Sequence, residues 1–493
     1  MMRIVPYHAP RCARLVALAA ITLLCVGAHA SAQQPLTLQQ AIDVAQRQGL
    51  AARAASSARE SARRRDQGFE ARRLPQLGLT GNLPAYNRSI IPVLQPDGST
   101  LFRPQQQTDA SVNLTMTQRL PLTGGDLFMS SSLARLQVSG QRDVRNWSST
   151  PFAVGLRQEI LRPNVFAWER KEQNLRADVA ERTYLEARED VAVNVTAAFF
   201  DLYAARVALA NSIKNSATND TLYTLNKGRF EVGKIGENDL LQSELALLRV
   251  RTSLDGARLE YDRALASFRL ALGMPPGSPV DITVTSTVPE LEADTAVAVQ
   301  QAMRNRAQTL ELQLQDVQAR RRVNEARLNN GIGATLQASV GLNQTASDVN
   351  AAYSDLLNQQ RFSFSLQMPI VQWGARSADV QAARAEQDRV TSIARNAREQ
   401  TAQDAHFAAL QLAQSRRQLA LAAKSDTVAA KRFEVAYNRY VIGRIDMDNL
   451  YVAQNEKDQA LQQYVQSLRG YWLAYYRLRR VTLYDFEKGA ALR

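Results

Sequence analysis

The stretch Arg229-Phe230-Glu231-Val232-Gly233-Lys234-Ile235 recurs 210 residues later as Arg439-Tyr440-Val441-Ile442-Gly443-Arg444-Ile445. Asp239-Leu240 then lines up with Asn449-Leu450, and the match runs without gaps from about Phe152 to Leu272. Phe152, Val154 and Leu156 fall on Phe362, Phe364 and Leu366, and Tyr261 falls on Tyr471. A repeat of this length means two copies of one structural unit, and so a fold that closes from repeats. The first copy spans 33–285 and the second 286–493. In each, strands precede a very long helix, a glycine break and another helix.

Residues 1–32 read as an export signal. Arg3, Arg11 and Arg14 precede a short apolar run, Leu15 to Val26, and Ala30-Ser31-Ala32 offers a small-x-small cleavage site. Cleavage after Ala32 removes Cys12, Cys25, His8 and His29, which leaves no cysteine and only His406. Thiol catalysis, disulfides and Cys/His zinc sites are thereby excluded. His406 lies in an amphipathic helical pattern with no nucleophile motif beside it, and reads as an ordinary helix residue. There is no G-x-S-x-G, P-loop or G-x-G-x-x-G, so the chain does not read as an enzyme, and no catalytic, metal or cofactor-binding residue is expected. The formal charge is +13. Its arginines alternate with glutamate and glutamine along helical stretches, which suits solvated faces and anionic lipid headgroups rather than nucleic acid. Beyond the signal no run of 18 apolar residues occurs, so no transmembrane helix is expected. Alternating strands can still cross a membrane as a barrel.

Apolar spacing predicts a helix over 39–73, ended by Pro75. Strands follow at about 76–84, 110–121, 124–138 and 152–161, with a polar, proline-rich loop over 84–108 and Gly124-Gly125 as a turn. Phe166 to Val232 contains no proline over 67 residues, about 100 Å of helix. Such a helix needs neighbours along its length. Gly233 and Gly236 break it, and Asn238-Asp239 can cap the next helix, which runs to Leu272. The second copy repeats the order: a helix over 294–328, strands at 334–343 and 360–369, a 67-residue helix from Arg376 to Ile442, a break at Gly443 and a last helix to about 485. The two shorter helices of each copy together match the long one, so each copy gives two helical columns. The strands are too few to close a pore from one chain, since single-chain barrels begin at about eight. Closure needs several chains.

With Leu36-Thr37-Leu38-Gln39-Gln40-Ala41 opening a helix, the Leu74-Pro75-Gln76-Leu77 joint, Phe364-Ser365-Leu366-Gln367-Met368-Pro369-Ile370 before Trp373-Gly374, and two glycine turns, the chain resembles the TolC-type outer-membrane efflux proteins. The resemblance covers essentially all of the chain after the signal. It implies a mainly α fold with a membrane β-barrel, the duplicated unit forming a homotrimeric barrel in outer-membrane lipid that continues as a periplasmic α-helical barrel. It implies an exit duct, without cofactor, that serves a periplasmic adaptor (membrane fusion) protein and, through it, an inner-membrane pump. The expected cargo is small toxic compounds or metals. The alternatives are a type I protein-secretion channel of the same fold and, from another class, a periplasmic structural coiled-coil protein.

The resemblance also implies site residues. Adaptor contact falls on Val232, Gly233 and Leu240, and on Ile442, Gly443 and Leu450. The closed tip of the family uses a tyrosine and an aspartate, matched by Tyr440 and Asp239, with an arginine whose position is Ile445 here and Arg444 next to it. Aspartate rings of some members fall on Asn449 and Val452, while Asp446 and Asp448 offer a different ring. Family trimers close 12 strands, four per chain. The extra hairpin at about 110–138 is read as an extracellular extension rather than as an enlargement to 18.

Overall fold

A computed structural model of the protein describes residues 35–139, 143–285 and 288–492. The expected signal lies outside the described residues. The long helices α3 (Val165–Glu231) and α7 (Ala375–Val441) have 67 residues each, and the helices after them, α4 (Glu237–Leu272) and α8 (Met447–Thr482), have 36 each. All four boundaries keep the 210-residue offset. Gly228 lies inside α3 without ending it.

Two expected helices are each broken once. The first consists of α1 (Leu38–Gln48) and α2 (Leu50–Ala71), separated by Gly49; its second-copy counterpart consists of α5 (Thr295–Asn305) and α6 (Ala307–Asn329), separated by Arg306. Arg306 is extended, with ψ 143°, and the Ala307 amide beyond it donates to Glu186 Oε1 at 2.9 Å. Helix-forming composition continues on both sides of each break, so spacing alone does not reveal it. The last helix also stops early, at Thr482, and a short hairpin of β7 (Tyr484–Asp485) with β8 (Ala490–Ala491) follows.

The described residues form two compact units. One comprises the chain up to Leu50, Val191–Glu290 and Gln418–Leu473. Its core includes Val195, Phe199, Phe200, Phe268, Leu272 and Tyr471, all buried. Phe199 meets Phe268 edge-on at 5.9 Å, and the Tyr471 hydroxyl donates to the Pro289 carbonyl. The helix α3, which supplies Val195, Phe199 and Phe200, contains an 18-residue window of mean hydropathy 1.3, long and apolar enough by composition to cross a membrane. The absence of an 18-residue apolar run did not show this.

The other unit comprises Ala51–Asp190, Leu291–Arg417 and Ala474–Arg493. It holds six strands in one antiparallel sheet, in chain order: β1 (Gln76–Leu94), β2 (Thr100–Arg119), β3 (Asp126–Ser139), β4 (Val144–Ile160), β5 (Gly333–Ala346) and β6 (Leu357–Gln367). The loop expected over 84–108 is mostly strand. Its prolines mislead because they sit where a sheet tolerates them. Pro84 lies in the register shift between Asn82 and Ala85, Pro92 is on the edge strand β1, and Pro104 precedes Gln106, where pairing with β3 begins.

Residues directly opposite one another share a face. Leu77 and Leu79 face Met116 and Leu114, Met116 faces Met129, Leu127 and Met129 face Leu156 and Val154, and these face Ala338 and Val340. Leu336 and Ala338 then face Phe364 and Phe362. One side of the sheet is therefore apolar from strand to strand. Thr80, Asn113, Thr115, Ser130, Gln337, Ser339, Ser363 and Ser365 lie on the other. The copies differ here in length. Before the sheet, Leu50 and Gln76 correspond to Ala307 and Gly333, an offset of 257; after it the offset is 210, so the first copy carries 47 extra residues. That surplus is β2, β3 and their turns.

In the same unit Arg479 lies between two buried carboxylates, 3.3 Å from Glu189 and 3.4 Å from Asp485. Burial raises the Glu189 pKa, and Arg479 opposes the rise. The cluster ties the terminal hairpin to α3.

Candidate gate and docking turns

Each long helix ends in the same motif. Gly233 has φ 70° and Gly443 φ 73°. Gly233 N donates to Phe230 O and Lys234 N to Arg229 O; Gly443 N donates to Tyr440 O and Arg444 N to Arg439 O. This is the Schellman arrangement, in which a left-handed residue lets the chain satisfy the last helical carbonyls. A Cβ at either glycine would meet nothing within 4 Å. The backbone angle alone thus calls for glycine, and the space beside it is open.

The surface of the turns is β-branched and basic. Val232 is 67% exposed and Ile442 63%, and Lys234 and Arg444 follow at equivalent positions, also exposed. Of the six residues expected to contact an adaptor, Leu450 does not reach the surface. It is fully buried with Leu222, Tyr440 and Met447, because the start of α8 packs on α3. Leu240, its counterpart, is half-buried.

The residues expected at the gate are placed as follows. Tyr440 is buried and its hydroxyl donates to Asn226 Oδ1 at 2.7 Å. The guanidinium over its ring, at 5.3 Å, is that of Arg229, which also donates to the Val441 carbonyl at 2.9 Å. Arg444 is an exposed turn residue, and Ile445 packs on the tyrosine cluster. Burial raises the Tyr440 pKa, with Asn226 and Arg229 opposing. Burial pushes Tyr451 up to about 12. Asp239 lies close enough to add to the rise at Tyr440, but Asn226, not Asp239, accepts the hydroxyl.

Asp446 accepts from the backbone and side-chain nitrogens of Asn449, at 2.9 and 2.7 Å. It caps α8. Its counterpart in the first copy is Gly236, which caps α4 without a side-chain bond; Asn238 and Asp239, expected to cap that helix, lie inside its first turn. Asp239 and Glu237 there complement the helix dipole. Asp448 accepts from Gln242 Nε2 at 2.6 Å, joining α8 to α4.

Sequence reasoning missed Asn226, Arg229 and Gln242. The duplication marks only Asn226, which stands opposite Ala436, as Tyr440 stands opposite Phe230; Arg229 is matched by Arg439. Each copy supplies one member of the hydrogen-bonding pair, and the counterparts of both, Ala436 and Phe230, are apolar.

The model of the outer membrane efflux protein family matches residues 103–274. None of the curated proteins compared matches the chain. Among solved structures, the CmeC outer membrane channel of Campylobacter jejuni superposes with a TM-score of 0.65 at 15% identity, covering 92% of this chain and 88% of that one. The outer membrane protein VceC of Vibrio cholerae gives 0.66 at 12% identity, covering 92% and 97%. The MtrE outer membrane channel of Neisseria gonorrhoeae, in its open state, gives 0.61 at 15%, covering 90% and 88%. The fold is that of the outer-membrane channels on which the chain superposes, and the segment 103–274 is similar to the outer membrane efflux proteins.

Proposed function

We propose that this protein is the exit duct of a tripartite efflux system, working as a homotrimer with a periplasmic adaptor and an inner-membrane pump, and carrying small toxic compounds or metals. The observation that carries the reading is the six-strand sheet, apolar on one side and polar on the other, whose outer strands β1 and β6 pair with no third strand among the described residues. Bare strand edges are not tolerated in lipid. Closure by further copies removes them. The helices support the same reading. Leu421, Val428, Val435 and Ile442 are exposed and seven residues apart, the spacing of a helix seam without its partner. A periplasmic tether would leave the two-faced sheet unexplained.

The turns take the docking role in this reading. Three copies present six near-equivalent turns, each with a β-branched residue, a glycine and a cation. Because the space around Gly233 and Gly443 is open, tryptophan there adds bulk outward. Gly233→Trp and Gly443→Trp should abolish export in cells while leaving the trimer intact. Purification from outer membranes, with mass by light scattering and export measured as resistance to toxic compounds, tests both parts. A monodisperse monomer sinks the duct, and full export by both variants sinks the docking role.

A further inference from the structure

We propose that the surplus hairpin forms part of the barrel wall, so that three copies close 18 strands, with β6 of one copy pairing to β1 of the next. The proposal rests on the trimeric duct reading.

Four observations point the same way. The strands β2 and β3 pair without interruption from Gln106↔Ser139 to Arg119↔Asp126, and β3 pairs with β4 from Asp126↔Arg157 onward. They are rungs of the ladder between β1 and β4, with no direct β1–β4 pairing among the described residues. Their register also keeps the faces aligned. Leu114, Met116, Leu127 and Met129 continue the apolar side set by Leu77 and Leu79 before them and Val154 and Leu156 after them. A hairpin standing in water would have no need of that pattern.

The turn between the two strands is the third observation. Asn164 Nδ2 donates to the carbonyls of Pro121 and Leu122 at 3.1 and 3.2 Å, and Gln158 Nε2 donates to Thr123 O at 3.0 Å. The turn therefore sits against the joint where β4 passes into α3, at the helix end of the sheet. An extracellular extension would place it at the opposite end, beside the loop at 95–99. Parity is the fourth. Every neighbouring pair is antiparallel, so six strands leave β1 and β6 running in opposite directions. The two edges then meet antiparallel between copies. Inserting two strands preserves this, whereas one would reverse an edge.

Barrel diameter grows roughly linearly with strand number, and barrels of about 16–18 strands hold an aqueous channel. The outlet would be about half as wide again as a 12-strand one, so the strand region would not set the size limit for hydrated cargo. β6 has 11 residues and β1 has 19. The β1–β2 hairpin runs past the last described β2–β3 pair, Gln106↔Ser139, by Ser89–Leu94 paired with Thr100–Gln105.

The test uses the chain after signal removal, which carries no cysteine in its own sequence. One cysteine at Gln76, Gly78 or Thr80 is combined with one at Ser363, Ser365 or Gln367, and outer membranes are oxidised. Covalent dimers and trimers on non-reducing gels are expected from the pairs that meet. Ser130→Cys with Ala153→Cys, opposite each other on β3 and β4, should close within one chain. In whole cells a membrane-impermeant maleimide should label Asp97→Cys, and should label Leu122→Cys only after the outer membrane is opened. Labelling of Leu122→Cys from outside, closure of Gly78→Cys onto Ala153→Cys within a chain, or trimers in which none of the nine edge pairings closes would each overturn the 18-strand wall and leave the duct standing. Absence of any trimer would overturn the duct itself.

Discussion

The two glycine turns have the same backbone and opposite surroundings. Tyr440 is 5% exposed while Phe230, its counterpart, is 40% exposed. Met447 is buried where the first copy has exposed Glu237, and Leu450 is buried where the first copy has half-buried Leu240. Leu241, Leu245 and Leu248 of α4 are exposed as well. The second turn is completed within its own chain, by Leu222, Asn226 and Arg229 of α3. The first turn has its apolar groups uncovered. What α3 does for the end of α7 inside one chain, α7 of a neighbouring copy can do for the end of α3, and exposed Arg439 stands where Arg229 does. The difference teaches that duplication left one turn completed inside the chain and the other with its apolar groups free to meet a neighbouring copy.

The largest effect should come from removing the ring that separates the turns. Tyr440→Ala is expected to cost about 3–5 kcal/mol, as other buried aromatic truncations do, while Phe230→Ala should leave the isolated chain nearly as stable and weaken the trimer. Urea titrations below and above the assembly concentration distinguish the two, and equal losses would break the comparison.

Tyr440→Phe keeps the ring and leaves Asn226 Oδ1 without its donor, for about 1–3 kcal/mol. It should also raise ion leak through reconstituted channels. Because burial raises the Tyr440 pKa, its hydroxyl contributes fully below the ordinary tyrosine value of about 10, and that stability is lost as pH rises through the higher folded value. The variant's alkaline stability curve should therefore be flatter.

Asp446→Ala should cost about 1 kcal/mol by loss of the cap on α8. Gly236→Asp, which gives α4 the cap it lacks, should cost nothing or gain; helix content against temperature measures both. The smallest contrast is expected at the glycines themselves. Gly233→Ala and Gly443→Ala should each cost about 1–2 kcal/mol, and equally, since both are left-handed with open space beside them. Unequal losses would show that one turn is held by more than its backbone.

The repeat made the helices legible. Absence of proline and the position of one glycine fixed Val165–Glu231 and Ala375–Val441 to within a residue, because a left-handed glycine ends a helix by a local rule. The strands beyond Pro84 were not legible. Proline argues against a strand, and only the pairing partners reveal that Pro84 occupies a register shift, Pro92 an edge strand, and Pro104 a stretch of β2 that precedes the described pairs with β3. The same limit applies to the expected gate. Tyr440 was found by position, but its partners Asn226 and Arg229 lie 214 and 211 residues away. Only the folded chain brings them together.

The equal lengths of α3 and α7 bear on how this chain can change. Each residue advances a helix by about 100° of rotation. One residue inserted into α3 would turn Asn226 and Arg229 away from Tyr440 while lifting the turn by only about 1.5 Å. Seven inserted residues come back to within about 20°. Lengthening is thus permitted only in whole turns, such as seven residues for about two turns or eleven for about three, and only when made in both long helices and in their shorter companions. A drift of single residues, tolerated in loops, is closed to these helices: the molecule behaves like two meshed screws, whose lengths can change only by whole threads.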